Sequence, residues 1–192
     1  MNLTIIGYSN KAYLEKYGKI KQEEYEEFLS EYAELLAKHF DNTIVTPNEG
    51  VYADLALKIS KLKGKKPFAF YPDKDTFYGF EHLKPNFEKY DIKPINGDWY
   101  KLNAEQGKKS QIILCVGISP GSMIELAYIK YHQKWGGKKD SSLKNIHLLI
   151  DERCIDQRLP RVFHDEINNI HYFKTLKELE NIIINIKNKK NQ

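Results

Sequence analysis

Cysteine is scarce in this chain: Cys115 and Cys154 are the only two among 192 residues. Cys115 sits inside an apolar run. The pair makes no disulfide framework, and a reducing, cytoplasmic setting is expected. No apolar run approaches the roughly 20 residues that a membrane-spanning helix needs, so no membrane partner is expected. The opening Met1-Asn2-Leu3-Thr4 lacks the basic region and long apolar run of a signal peptide and leads straight into a strand-like segment. Internal repeats are missing, and so is any linker that would split the chain. A compact metal motif is also missing. His164, Asp165 and His171 are neighbours in sequence without helical ligand spacing, so neither a metal nor a cofactor is expected.

What is present is the composition of a folded globular chain: 41% hydrophobic and 29% charged residues. The length fits a single domain over residues 1–192 with a sizeable core. The net charge of +4 mildly favours anionic ligands. Much of that charge is lysine scattered over amphipathic segments, so nucleic acid is not the expected partner. Lys187, Lys189 and Lys190 read as a solvated, frayed end.

Periodicity gives the architecture. Leu3 to Gly7 is a short buried strand, and Tyr8 to Lys21 a polar segment. Tyr25, Phe28, Leu29, Tyr32, Leu35, Leu36 and Phe40 recur at helical spacing. Thr43 to Thr46 is β-branched and strand-like. Pro47-Asn48-Glu49-Gly50 breaks it, and Val51, Leu55, Ile59 and Leu62 mark a second helix. Strands follow at Pro67 to Tyr71, Lys93 to Ile95, Gln111 to Val116, Asn145 to Ile150 and Ile170 to Phe173. Helices fall at Asp98 to Lys108, after Ser122, and at Leu176 to Ile186. In the helix after Ser122, residues Ile124, Ala127, Tyr128, Tyr131 and Trp135 are placed to pack. Strands alternating with helices imply an α/β, Rossmann-like three-layer sandwich with a mostly parallel sheet. Such sheets bind ligands beyond the carboxyl ends of their strands, near a switch in strand order. Three loops therefore matter: Gly7-Tyr8-Ser9-Asn10, Pro47-Asn48-Glu49-Gly50, and Ser119-Pro120-Gly121-Ser122.

The third loop follows the most apolar run. Gly117 and Gly121 let the backbone approach a ligand closely, and Pro120 suits a first helical position. Free N–H groups in that first turn, with the helix dipole, seat a phosphate, and the Ser122 hydroxyl adds a donor. Glu125 then lies within reach of an attached sugar. The same residues have a plainer reading. Ser122-Met123-Ile124-Glu125 fits a capping box, in which Ser and Glu satisfy each other's backbone N–H groups.

The order of features resembles the SLOG superfamily, which includes the LOG-type, lysine decarboxylase-like phosphoribohydrolases. "IIGYSN" stands in the place of that group's opening strand and Gly-Ser loop. "SQIILCVGISPGSMIELAYIKYHQKW" looks like its central strand, its P-G-G-x-G-T-x-x-E motif and the aromatic helix behind. The likeness runs over most of residues 3 to 150. It implies a nucleotide site with phosphate at Gly121, Ser122 and the neighbouring Ser119, and with Glu125 as the acid at the bond between ribose and base. The group's catalytic arginine segment falls near Trp99-Tyr100-Lys101. No Arg stands there, and Lys101 offers the positive charge. "GSMIELAYIKY" is also similar to the G-T-x-x-E-x-G-Y-A stretch of nucleoside 2-deoxyribosyltransferases, where the Glu is the nucleophile.

Cleaving an N-glycosidic bond builds positive charge on the sugar, which a nearby carboxylate stabilises. Glu125 fits that role, and Asp98 or Glu49 is the candidate second acid. Tyr8, Tyr52 and Trp99 are candidates to stack on a base, and Asn10 and Asn48 to bind sugar hydroxyls. Gly7, Ser9, Gly50 and Lys101 complete the expected nucleoside site. Three functions follow: an N-glycosidase or glycosyltransferase acting on a nucleotide or nucleoside, a non-catalytic sensor of a nucleotide-derived ligand, or a mainly structural dimer. A homodimer is expected through the helix bearing Tyr128, Tyr131 and Trp135.

Overall fold

The computed structural model describes residues 1–156 and 158–190. In chain order the elements are β1 Asn2–Gly7, α1 Ala12–Tyr17, α2 Tyr25–His39, β2 Asn42–Val45, α3 Val51–Leu62, β3 Phe68–Pro72, β4 Asp91–Ile95, α4 Trp99–Gln106, β5 Ile112–Val116, α5 Pro120–Lys134, β6 His147–Asp151, α6 Arg161–Glu166, β7 Ile170–Phe173 and α7 Leu176–Lys190. The sheet has seven strands in the order β4-β3-β2-β1-β5-β6-β7, and every pairing is parallel. Among the described residues no helix is long and apolar enough to cross a membrane.

The central strands are apolar on both faces because helices cover both. Leu3, Ile5, Ile112, Leu114 and Leu149 face one core with α2, α3 and α7. Ile6, Ile113, Cys115, Leu148 and Ile150 alternate onto the other, under α5. That alternation with no polar side explains why the strands read as continuous hydrophobic runs. After β1 the chain winds outward through β2, β3 and β4, then returns to place β5 on the opposite side of β1. Gly7 pairs with Val116, so the two chains leave the sheet side by side and diverge. The crevice between them is the switch point of the sheet.

Two sequence expectations change. On α5 the buried positions are Ser122, Leu126, Ile129, His132 and Gln133, while Ile124, Tyr131 and Trp135 stay substantially exposed. The aromatic residues share helical spacing but not the inward face. The basic end of α7 is less loose than expected. Lys187 Nζ donates to the His39 carbonyl at 2.6 Å and lies over the Phe40 ring. The side chain of Lys190 falls outside the described set, as do Gln157, Asn191 and Gln192.

Candidate functional site

At the switch point lies a cavity of about 260 Å³. Its floor is buried: Ile5 and Ile6 from β1, Thr46 just past β2, and Gln106 at the end of α4. Its mouth is exposed, formed by Ser9, Pro120 and Gly121. Between them stand Tyr52 on α3, Trp99 and Asn103 on α4, and Glu125 on α5. A larger cavity of about 380 Å³ lies on the β6 side, walled by Tyr8, Met123 and Leu159. The smaller one is the candidate site because Glu125 lines it.

The loop into α5 shows that Glu125 takes no part in the helix cap. The N-cap is Ser119, not Ser122. Ser119 is extended, Pro120 takes the first helical position, and the capping box closes three residues later. The Ser119 N–H donates to Ser122 Oγ at 2.6 Å, and the Ser122 N–H donates to Ser119 Oγ at 3.2 Å. The expected Ser122–Glu125 box is therefore corrected: Ser122 is the far member of the box, and Glu125 lies one turn deeper. No hydrogen bond or ion pair reaches its carboxyl from the described residues. One face of Glu125 opens on the cavity, while protein crowds the rest. Burial alone pushes its pKa from 4.5 up to about 8. It is the one carboxyl among the described residues that line the cavity, and no lysine, arginine or histidine lines it. Beside it, burial in the first place and the Glu125 charge in the second push the Tyr52 phenol well above its ordinary value.

The same box uses up donors expected for phosphate. Ser122 is 2% exposed, its N–H belongs to Ser119, and its hydroxyl donates to the Ser119 carbonyl at 2.9 Å. Met123 N–H closes the first helical bond onto that carbonyl. With no N–H on Pro120, the Gly121 N–H is the unpaired amide of this turn. A Cβ added at Gly121 would meet nothing nearer than Ser119 Oγ at 3.9 Å. Neither backbone conformation nor protein crowding calls for glycine there. The position is left open to close approach from outside.

The other predicted residues divide. Gly7, Ser9 and Asn48 line the cavity. Gly7 has a packing reason of its own, since a Cβ would lie 2.8 Å from the Val116 carbonyl oxygen. Gly50 packs its backbone on Ser9 with φ +121°, outside the cavity wall. Tyr8 is 3% exposed and covers Gly117 from the β6 side, so its ring is not free to stack on a base. The Asn10 side chain accepts the Ala12 N–H at 3.0 Å. Glu49 is exposed beyond the rim. Asp98 caps α4 by accepting the Lys101 N–H at 2.9 Å, and Lys101 Nζ donates to the Asn96 carbonyl at 2.6 Å. Both belong to the outer end of α4 rather than to the cavity. Sequence reading missed Thr46, Asn103 and Gln106. Thr46 directly follows a strand, which was the available signal for it.

No protein-family model matches the sequence, and no curated protein does. Solved structures share its fold. The molybdenum cofactor carrier protein from Chlamydomonas reinhardtii superposes with a TM-score of 0.60 at 15% identity, over 97% of this chain and 98% of that one. The molybdenum cofactor binding protein from Rippkaea orientalis does so with a TM-score of 0.58 at 13% identity, over 97% and 96%. DNA processing protein A from Helicobacter pylori, described for its single-stranded DNA binding mode, gives 0.56 at 14% identity, over 96% and 80%. What these structures share with the chain is the Rossmann-like α/β fold with its parallel sheet. At these identities the likeness reaches the fold alone, and folds of this kind carry unrelated ligands.

Proposed function

We propose that this protein binds a nucleotide-type small molecule in the switch-point cavity, its phosphate at the mouth beside the Gly121 amide and its sugar facing Glu125. The observation that carries this reading is the acid itself: an unpaired carboxyl, neutral at pH 7, one helical turn inside an open glycine. An ionised Glu125 would repel a bound phosphate, whereas a protonated one donates a hydrogen bond and adds no charge. The cavity volume of about 260 Å³ sits just under the roughly 300 Å³ at which small-ligand pockets begin. It therefore suits a nucleoside held inside with phosphate at the rim. The cofactor carriers of the same fold support a small-molecule ligand.

A second reading, cleavage of the N-glycosidic bond, draws on the same raised pKa. A protonated Glu125 can pass its proton to the departing base nitrogen. Once ionised, it stands opposite the positive charge left on the sugar, and water then adds at the anomeric carbon, its proton returning to Glu125. Binding without turnover is favoured, because among the described residues no second acid lines the cavity. The exposed stack of Tyr131 on Trp135, with ring centres 5.2 Å apart, supports a homodimer through α5.

Incubation with ribo- and deoxyribonucleoside monophosphates tests both readings. Thermal stabilisation without base release supports a binder. Base release that stops in Glu125→Gln, with binding retained, supports the enzyme. Neither effect, or tighter binding of a single-stranded oligonucleotide than of any mononucleotide, would sink the proposal.

A further inference from the structure

Gln106 is 1% exposed, yet half of its amide is unused. Its Oε1 accepts a hydrogen bond from Thr46 Oγ1 at 3.1 Å, across 60 residues of sequence. Its Nε2 has no acceptor among the described residues, and it is not sealed in protein, since Gln106 forms part of the cavity floor. Facing the cavity, this donor is open to a partner from outside the chain, whether solvent or a ligand that displaces it. Asn103, three residues earlier on α4, also lines the cavity, and its side chain makes no hydrogen bond among the described residues, so it can turn either end of its amide to a ligand. With Thr46 donating to its oxygen, Gln106 presents its N–H end to the cavity.

From this geometry, and resting on the nucleotide-binding reading above, we infer that Gln106 is a specificity-determining residue that selects a ligand whose buried end carries an oxo group. A nucleobase entering with its phosphate at the Gly121 mouth puts its edge farthest from the sugar on the floor, against Gln106 Nε2. A ring carbonyl there accepts the free N–H. An exocyclic amine would set donor against donor and leave both unpaired, which discriminates more strongly than the loss of a contact. Thr46 acts through Gln106 as a positioning residue.

The test uses the whole chain and two matched pairs of probes: inosine against adenosine 5′-monophosphate, and uridine against cytidine 5′-monophosphate. Calorimetry should show the oxo member of each pair binding at least about tenfold more tightly. Gln106→Met, similar in length, should bring that ratio close to one. Thr46→Val keeps the shape but frees the amide to turn, and should lower the ratio while melting near the wild-type temperature. If Gln106→Met does not fold, Thr46→Val alone decides. Equal binding within the wild-type pairs, preference for the amino member, or a ratio unchanged in the folded variants overturns the inference while leaving nucleotide binding intact. Failure of all four nucleotides to bind overturns both.

Discussion

The buried acid makes the sharpest prediction, because its protonation is tied to folding. Glu125 is held at about 8 against an ordinary 4.5, with burial as the cause. At about 1.4 kcal/mol per tenfold change, the ceiling on the coupling is about 5 kcal/mol. One side of the carboxyl faces solvent in the cavity, so we take about half, ~2–3 kcal/mol. The sign follows from proton binding. Between pH 4.5 and 8 the folded state holds a proton that the unfolded state has released, so stability falls as pH rises. Below 4.5 both states are protonated, and above 8 neither is. Urea unfolding of the wild type and Glu125→Gln from pH 4 to 9 should show the wild type losing ~2–3 kcal/mol relative to the variant across that window. The difference should be flat on either side. A difference that stays constant from pH 4 to 9 would mean an ordinary carboxyl and refute the reasoning. Ligand binding should echo it, with nucleotide affinity falling above pH 8 as a negative charge appears beside the phosphate.

Two further predictions follow. Gly121→Ala should stabilise the protein by about 0.4–1 kcal/mol, because the helical backbone accepts alanine without contact, yet weaken mononucleotide binding. Gly50→Ala should instead cost more than about 2 kcal/mol, since φ is +121° and the new methyl would lie 2.5 Å from Ser9 Cα; chemical unfolding and calorimetry on both variants check the contrast. At the other end of the sheet, His147 Nδ1 lies 3.1 Å from His171 Nε2. Burial first, then His171 and Lys189, press His147 down to about 4. The unfolded chain then binds the proton first, so stability should drop by ~1–2 kcal/mol, after allowance for partial exposure, as pH falls from about 6.5 to 4. An acid unfolding curve that His147→Asn leaves unchanged would refute this.

The strands were legible because helices bury both sides of them, which makes hydrophobic runs that need no partner information. The loop after β5 was legible from its Gly, Pro and Ser. Its internal register was not. Ser119 to Ser122 and Ser122 to Glu125 have the same spacing, and only the extended backbone at Ser119 with Pro120 in the first turn decides between them. The inward face of α5 was misread for a related reason. Tyr128, Tyr131 and Trp135 keep helical spacing, but Ser122, Leu126, Ile129 and Gln133 keep it too. Periodicity offers two faces, and the sheet chooses one. Gln106 was beyond reach, because its meaning lies in a bond to Thr46 and in a cavity that neither residue marks locally.

The arginine missing from the LOG-like pattern leaves burial unopposed in raising the pKa of Glu125. A guanidinium beside the acid would hold it ionised. Here the corresponding segment supplies Trp99, whose indole donates to the Gly79 carbonyl at 2.9 Å, and Lys101, whose ammonium is occupied at Asn96. Among the described residues no cation lines the cavity, so burial governs and holds the pKa of the acid up at about 8. A phosphate can then sit at the mouth of α5 on little more than the Gly121 amide and the helix dipole, without an opposing charge a turn away. An arginine introduced at Asn103, on the cavity wall, should lower the pKa of Glu125 and so shrink the pH dependence worked out above.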